Sequence, residues 1–112
     1  MAINDVTFTK FSKESVNNAA YDTLYTVPAA TTSLLLSCIL TNKTASPVTV
    51  DVQIVRSGGS PTIQFNDLPL PVGSALDIVE NKPIVLSTGD IVKAQASAAT
   101  SVDIAGSVLE TT

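Results

Sequence analysis

The chain has 112 residues, a net charge of −4 and a pI near 4.4, with 45% hydrophobic, 4% aromatic and 14% charged residues. That length suits one domain whose core is built from Val, Ile, Leu and Ala rather than aromatic rings. The six basic residues, Lys10, Lys13, Lys43, Arg56, Lys82 and Lys93, are scattered, which argues against nucleic acid and against an anionic membrane surface, because both need clustered cations.

Charged residues average about a quarter of a globular protein, so this chain is poor in charge, and its mean hydropathy is +0.35. Two readings follow: apolar surface covered by a partner, or a surface coated by the 12 Ser and 14 Thr.

In chain order, the start "MAINDVTFTKF" has no basic segment leading into an apolar one, so no secretory signal is expected and cytoplasmic synthesis fits. "VTFTKFS" sets Val6, Phe8 and Lys10 on one face and Thr7, Thr9 and Phe11 on the other. Residues 1–16 are expected as an N-terminal arm or first strand docking on a neighbour, and residues 17–112 as a single β-sandwich domain. "SKESVNNAA" offers a helical turn with Ser12 as cap, too short and Asn-rich for a stable helix. Tyr21 and Tyr25 flank or enter a strand. "SLLLSCILTN" is apolar on both faces, as in a central strand whose outer side another subunit covers; it falls short of the about 20 apolar residues of a spanning helix. Lone Cys38 inside it reads as a buried thiol.

"NKTASP" is a turn in which Asn42 supports the backbone; it also fits a glycosylation sequon, which carries no weight without a secretory signal. In "PVTVDVQIV", Val48, Val50, Val52 and Ile54 alternate with Thr49, Asp51 and Gln53, the mark of a half-buried strand. Gly58 and Gly59 make a flexible hairpin tip rather than a phosphate cradle, since no helix follows. After the turns "LPLPVGS", "ENKP" and "STGD", alternation resumes. Val92, Ala94 and Ala96 oppose Lys93, Gln95 and Ser97, and Val102, Ile104, Gly106 and Val108 line one face of the last strand. About eight short strands with this punctuation predict an all-β, antiparallel β-sandwich, either jelly-roll or Ig-like.

Catalytic chemistry finds few carriers. The chain has no His, which removes the commonest general base and metal ligand and leaves Cys38 and the serines without an imidazole to activate them. No serine sits in a G-x-S-x-G elbow or an S-x-x-K spacing. Asp77 with Glu80, or Asp51 with Asp103, are the candidate carboxylate pairs, on faces where solvent is expected. Asn66 with Asp67, and Glu80 with Asn81, are the loop groups nearest a calcium site, yet neither matches a calcium-loop pattern. No catalytic, cofactor-binding or metal-ligating residue is assigned, and no cofactor is expected. A glycan-binding sandwich would present aromatic platforms, and the chain has no Trp.

The blocks "LYTVPAATTSLLLSCILTNKTASPVTVDVQI" and "LPVGSALDIVENKPIVLSTGDIVKAQASAATSVDIAGSVLE" together resemble small β-sandwich virion proteins of tailed bacteriophages. These are capsid decoration (cement) proteins and related tail, collar or fibre modules. The resembling features are the Tyr-Thr-Val-Pro-Ala start, the apolar strand ending in Thr-Asn and the turn Leu70-Pro71-Val72-Gly73-Ser74. A further one is the passage Ile84–Asp90 into the Ala/Ser-rich strand that continues to Ala98. The resemblance spans residues 22 to 110 and brings no catalytic or ligand residue with it. It implies a non-enzymatic protein at the capsid surface of a virion, made in the bacterial host cytoplasm, that bridges major capsid protein subunits as a homo-oligomer, a trimer first. A tail, collar or fibre assembly role is the alternative and a host-glycan-binding module the third. Val6, Phe8, Phe11, Thr49, Asp51 and Gln53 are the expected protein-interface residues.

Overall fold

The computed structural model describes residues 6–59, 61–80 and 82–112. Nine strands lie among them: β1 (Val6–Lys13), β2 (Asp22–Thr26), β3 (Thr32–Asn42), β4 (Val48–Val55), β5 (Pro61–Leu70), β6 (Ala75–Asp77), β7 (Ile84–Leu86), β8 (Ile91–Ala96) and β9 (Val102–Thr111). One sheet runs β1-β9-β3-β6, with β7 also on β3; the other runs β2-β8-β4-β5. Every ladder is antiparallel.

The first strand thus lies beside the last, not beside its sequence neighbour as in an immunoglobulin sandwich. With β6 and β7 sharing one position along β3, this is the strand order of a jelly roll. The split of that position into two three-residue strands is why nine strands appear where about eight are predicted. Of the expected arm or first strand, residues 1–5 lie outside the described residues and Val6–Lys13 form β1.

Alternation places the core. Val50, Val52 and Ile54 of β4, Val92, Ala94 and Ala96 of β8, and Val102, Ile104 and Val108 of β9 all point between the sheets and are buried. β3 departs from the rule. Leu35, Cys38 and Leu40 are buried, a spacing of three and then two, because its register with β9 shifts between Leu35 and Ser37. One extra residue reverses which side chains face inward.

β5 is a strand that alternation does not predict. Pro61 and Pro69 interrupt it, and its pairing with β4 shifts between Val50 and Val52 and again between Val52 and Gln53. Its place at a sheet edge allows this, since the missing proline N–H need not enter a ladder.

Three polar side chains fasten the framework. Asn42 donates from Nδ2 to the Ser46 carbonyl at 2.9 Å and the Leu70 carbonyl at 3.0 Å, while its Oδ1 accepts from the Thr44 amide at 2.9 Å. The turn after β3 is thereby tied to the end of β5, and the sequon asparagine is buried. Tyr25 of β2 crosses to the opposite sheet. Its hydroxyl meets Ser33 Oγ at 2.7 Å and donates to Glu110, with the Phe11 ring 6.0 Å away. Burial, then the bond to Glu110, pushes the phenol up to about 12. Asp90 accepts from the Ser57 amide at 2.8 Å, the Ser87 amide at 2.9 Å and the Arg56 guanidinium at 2.8 Å. That geometry accounts for the Ser-Thr-Gly-Asp turn. Gly89 takes a φ of +85° there, and a Cβ on it would come within 2.9 Å of Ser57 Oγ.

Candidate interaction surface

Among the described residues, every buried side-chain N or O has a hydrogen-bond partner, and no three His, Cys, Asp or Glu gather as a metal site. Of the four carboxylates that sequence paired, Asp77, Asp51 and Asp103 accept backbone hydrogen bonds, and Glu80 is exposed. Asp77 accepts from the Cys38 and Val79 amides, at 3.2 and 3.0 Å. Asp51 accepts from the Asp67 amide at 2.6 Å. Asp103 accepts from the Ser15 amide and pairs with Lys43, both at 2.8 Å. Lys43 and then that amide hold the Asp103 carboxyl below the usual carboxylate range. Of the loop pair Glu80 and Asn81, Asn81 lies outside the described residues. No helix among the described residues is long and apolar enough to cross a membrane.

Cys38 is fully buried in the core. Burial, followed by the nearby Asp77 charge, pushes its thiol up to about 12, so almost no thiolate exists at neutral pH. A maleimide or disulfide reagent is therefore expected to label the unfolded chain within minutes and the native chain not at all. Labelling that proceeds equally without denaturant would show the core to be open.

What distinguishes the molecule is the outer side of the β1-β9-β3 sheet. Because of the shift in β3, Leu34 and Ile39 both point outward although they stand five positions apart, an odd spacing that a regular strand would put on opposite faces. Register then aligns apolar residues across four strands: Phe8 faces Leu109, Leu109 faces Leu34, and Leu34 faces Val85. Leu34 and Leu109 are half-buried, while Phe8 is 75% and Val85 58% exposed. A polar row, Lys10, Ser107 and Ser37, comes next, with Ser37 and Ser107 Oγ atoms 2.8 Å apart. Beyond it Ala105 and Ile39 lie side by side. Among the described residues, four of the five exposed large hydrophobic ones (Val6, Phe8, Ile39 and Val85) belong to this face, the fifth being Val72. Four strand positions about 4.8 Å apart and about eight residues long give roughly 500 Å². The largest apolar patch on a monomer commonly spans about 300–600 Å² and is often functional, and this face, apolar on both sides of one polar row, is the candidate interaction surface.

The opposite sheet presents Thr49, Asp51, Lys93, Gln95 and Ser97 outward, with Gln53 hydrogen-bonded to Tyr21 and buried. The six interface residues expected from sequence therefore do not form one patch. Val6 and Phe8 lie on the apolar face, Phe11 is in the core, and Thr49, Asp51 and Gln53 sit on the other sheet. Leu34, Ile39, Val85 and Leu109 complete the apolar face and escape sequence reasoning. Each sits in an apolar run, and only strand pairing shows which side it faces.

No protein-family model and no curated protein matches the chain. Solved structures do. A chain of the Bacillus endospore appendages, described as a novel family of disulfide-linked pili, aligns with a TM-score of 0.59 at 13% identity, over 96% of this chain and 89% of that one. A chain in the structure of infectious bursal disease virus, Gx strain, aligns with a TM-score of 0.55 at 15% identity. It is matched by 98% of this chain, which spans 33% of the viral one. The likeness is one of fold. It bears out the antiparallel β-sandwich read from the sequence.

Proposed function

We propose that this chain is a non-enzymatic structural protein of a bacteriophage virion, acting at the capsid surface as a decoration protein that bridges and stabilises major capsid protein subunits. The observation that carries this is the apolar outer face of the β1-β9-β3 sheet, in a molecule whose buried polar side chains are hydrogen-bonded among the described residues and whose Asp51, Asp77 and Asp103 accept structural bonds from backbone amides. The sequence resemblance supports the virion assignment, and the fold likeness to pilus and virus chains agrees with it. The resemblance also implies a homo-oligomer, a trimer first. The pilus likeness favours one second reading, a tail, collar or fibre component with the same sandwich. The disulfide linkage in that pilus's description has no counterpart on the surface here, since the one cysteine of this sequence is Cys38 in the core.

Localising the chain in purified particles by electron microscopy tests the proposal. Hundreds of copies on the shell are expected; a dozen or fewer would transfer it to the tail or collar, and none would overturn it. Val85→Asp, on the exposed face, is expected to leave the fold intact and to cut particle binding at least tenfold, because it buries a charge against the partner.

A further inference from the structure

The two sheets have four edges, and three are blunted. β2 has five residues and a register shift between Thr23 and Tyr25. β5 carries Pro61, Pro69 and two shifts. The β6 and β7 edge is broken into two three-residue pieces. β1 differs. It is eight residues long, free of proline and pairs with β9 without a shift. Its other side pairs with no strand among the described residues. A long regular edge of this kind is a template for another strand.

We infer that the occupant is β1 of a second copy of this chain, paired antiparallel about a two-fold axis at Phe8. Three observations select it. First, charge selects the register: an axis at Phe8 sets Lys10 opposite Val6 of the other copy, whereas an axis at Lys10 would oppose two like charges, which is destabilising. Second, the pairing is self-complementary, as an isologous contact requires: Thr7 meets Thr9, and Phe8 meets Phe8, both in Val-Thr-Phe-Thr, the uncharged part of β1. Third, it joins the row Phe8, Leu109, Leu34 and Val85 to the same row of the second copy. The face of roughly 500 Å² becomes one of roughly 1,000 Å² that runs unbroken across the pair. The inference deepens the structural reading above and rests on it for the role of the enlarged face. The pair it describes is a dimer, distinct from the trimer that the resemblance implies.

Cysteine scanning of the full chain tests the register. Opposed residues in an antiparallel pair have Cα atoms about 4.5–5.5 Å apart, inside the range a disulfide spans. Phe8→Cys is expected to give a covalent dimer on mild oxidation. Val6→Cys, whose two copies would stand about 13 Å apart, is expected to give none, while the double variant Val6→Cys/Lys10→Cys restores it. Native Cys38 does not compete, being buried. Phe8→Lys, at a position 75% exposed, is expected to keep the circular dichroism of the native fold and to raise the dimer dissociation constant at least tenfold in sedimentation equilibrium. A monomer at every concentration, a trimer without Phe8→Cys cross-linking, or equal cross-linking by Val6→Cys would overturn the inference. A monomer that still localises to particles would do so while leaving the virion reading intact. A β1-linked dimer absent from every particle would sink the virion reading and keep the edge pairing.

Discussion

Gly106→Ala is expected to cost the domain about 3 kcal/mol or more, since of the five glycines it is the one where an added methyl meets its neighbours most closely. Gly106 lies in the middle of β9 between β1 and β3, opposite Phe11 on one side and Cys38 on the other. The Phe11 ring occupies the volume that a side chain there would need. A Cβ would stand 2.2 Å from Phe11 Cζ and 2.5 Å from the Ser37 carbonyl oxygen. Neither neighbour yields easily, since the ring is buried beside Tyr25 and the carbonyl belongs to the bulged stretch of β3. Overpacking alone typically costs about 1–3 kcal/mol, and driving out a buried phenylalanine about 3–5 kcal/mol. Against a total stability of about 5–15 kcal/mol for a domain, Gly106→Val is expected not to fold. Urea denaturation of Gly106→Ala checks the size of the effect. Phe11→Ala in the same chain should cost less there than in the native background, because the two changes share one space. A Gly106→Ala variant within about 0.5 kcal/mol of the native chain, the range of an ordinary surface change, would mean that Phe11 does not lie over β9.

Asp90→Ala is expected to cost about 2–3 kcal/mol, chiefly because the Ser57 and Ser87 amides lose their acceptor; an unmade hydrogen bond costs more than a made one contributes. The Arg56 pair adds less, since that guanidinium is 43% exposed and solvent screens it. The same site makes stability depend on acid. Burial pushes the Asp90 carboxyl up, but the two amides and Arg56 outweigh it and hold the group below its ordinary value. A carboxyl depressed in the folded state contributes stability above its unfolded value of about 3.9, and that contribution disappears as pH falls through the lower folded value. The urea midpoint is thus expected to be level near neutrality and to fall below about pH 4. Asp90→Asn should flatten most of that decline, leaving the part due to Asp103, which Lys43 and the Ser15 amide also hold down. An Asp90→Asn variant with the native acid slope would remove Asp90 from this role.

Several structural features were legible one residue at a time. Asn42 supporting a turn, Cys38 in an apolar strand and the outward Thr49, Asp51, Lys93 and Gln95 of β4 and β8 follow from residue type and neighbours within a few positions, where local chemistry decides; the burial of Gln53 on the same face of β4 does not. β5 was not legible, because its prolines and shifts erase the alternation by which a strand is recognised. Asp90 could be placed in a turn, yet nothing nearby in sequence announces that Ser57 and Arg56 would close around it, more than thirty residues away.

The interaction surface divides along the same line. Sequence by itself determined an all-β chain with period-two strands, a small-residue core, no imidazole and a shortage of charge, since these are properties of composition and of neighbours along the strand. It also drew attention to Val6 and Phe8. Only the tertiary structure decided that β1 lies beside β9, that one extra residue in β3 turns Leu34 and Ile39 to the same side, and that Val85 closes the row. The physical reason is that register belongs to a pair of strands. A slip of one residue exchanges the buried face for the exposed one, and the partners that set it here lie from 51 (Leu34 and Val85) to 101 (Phe8 and Leu109) residues apart in the chain.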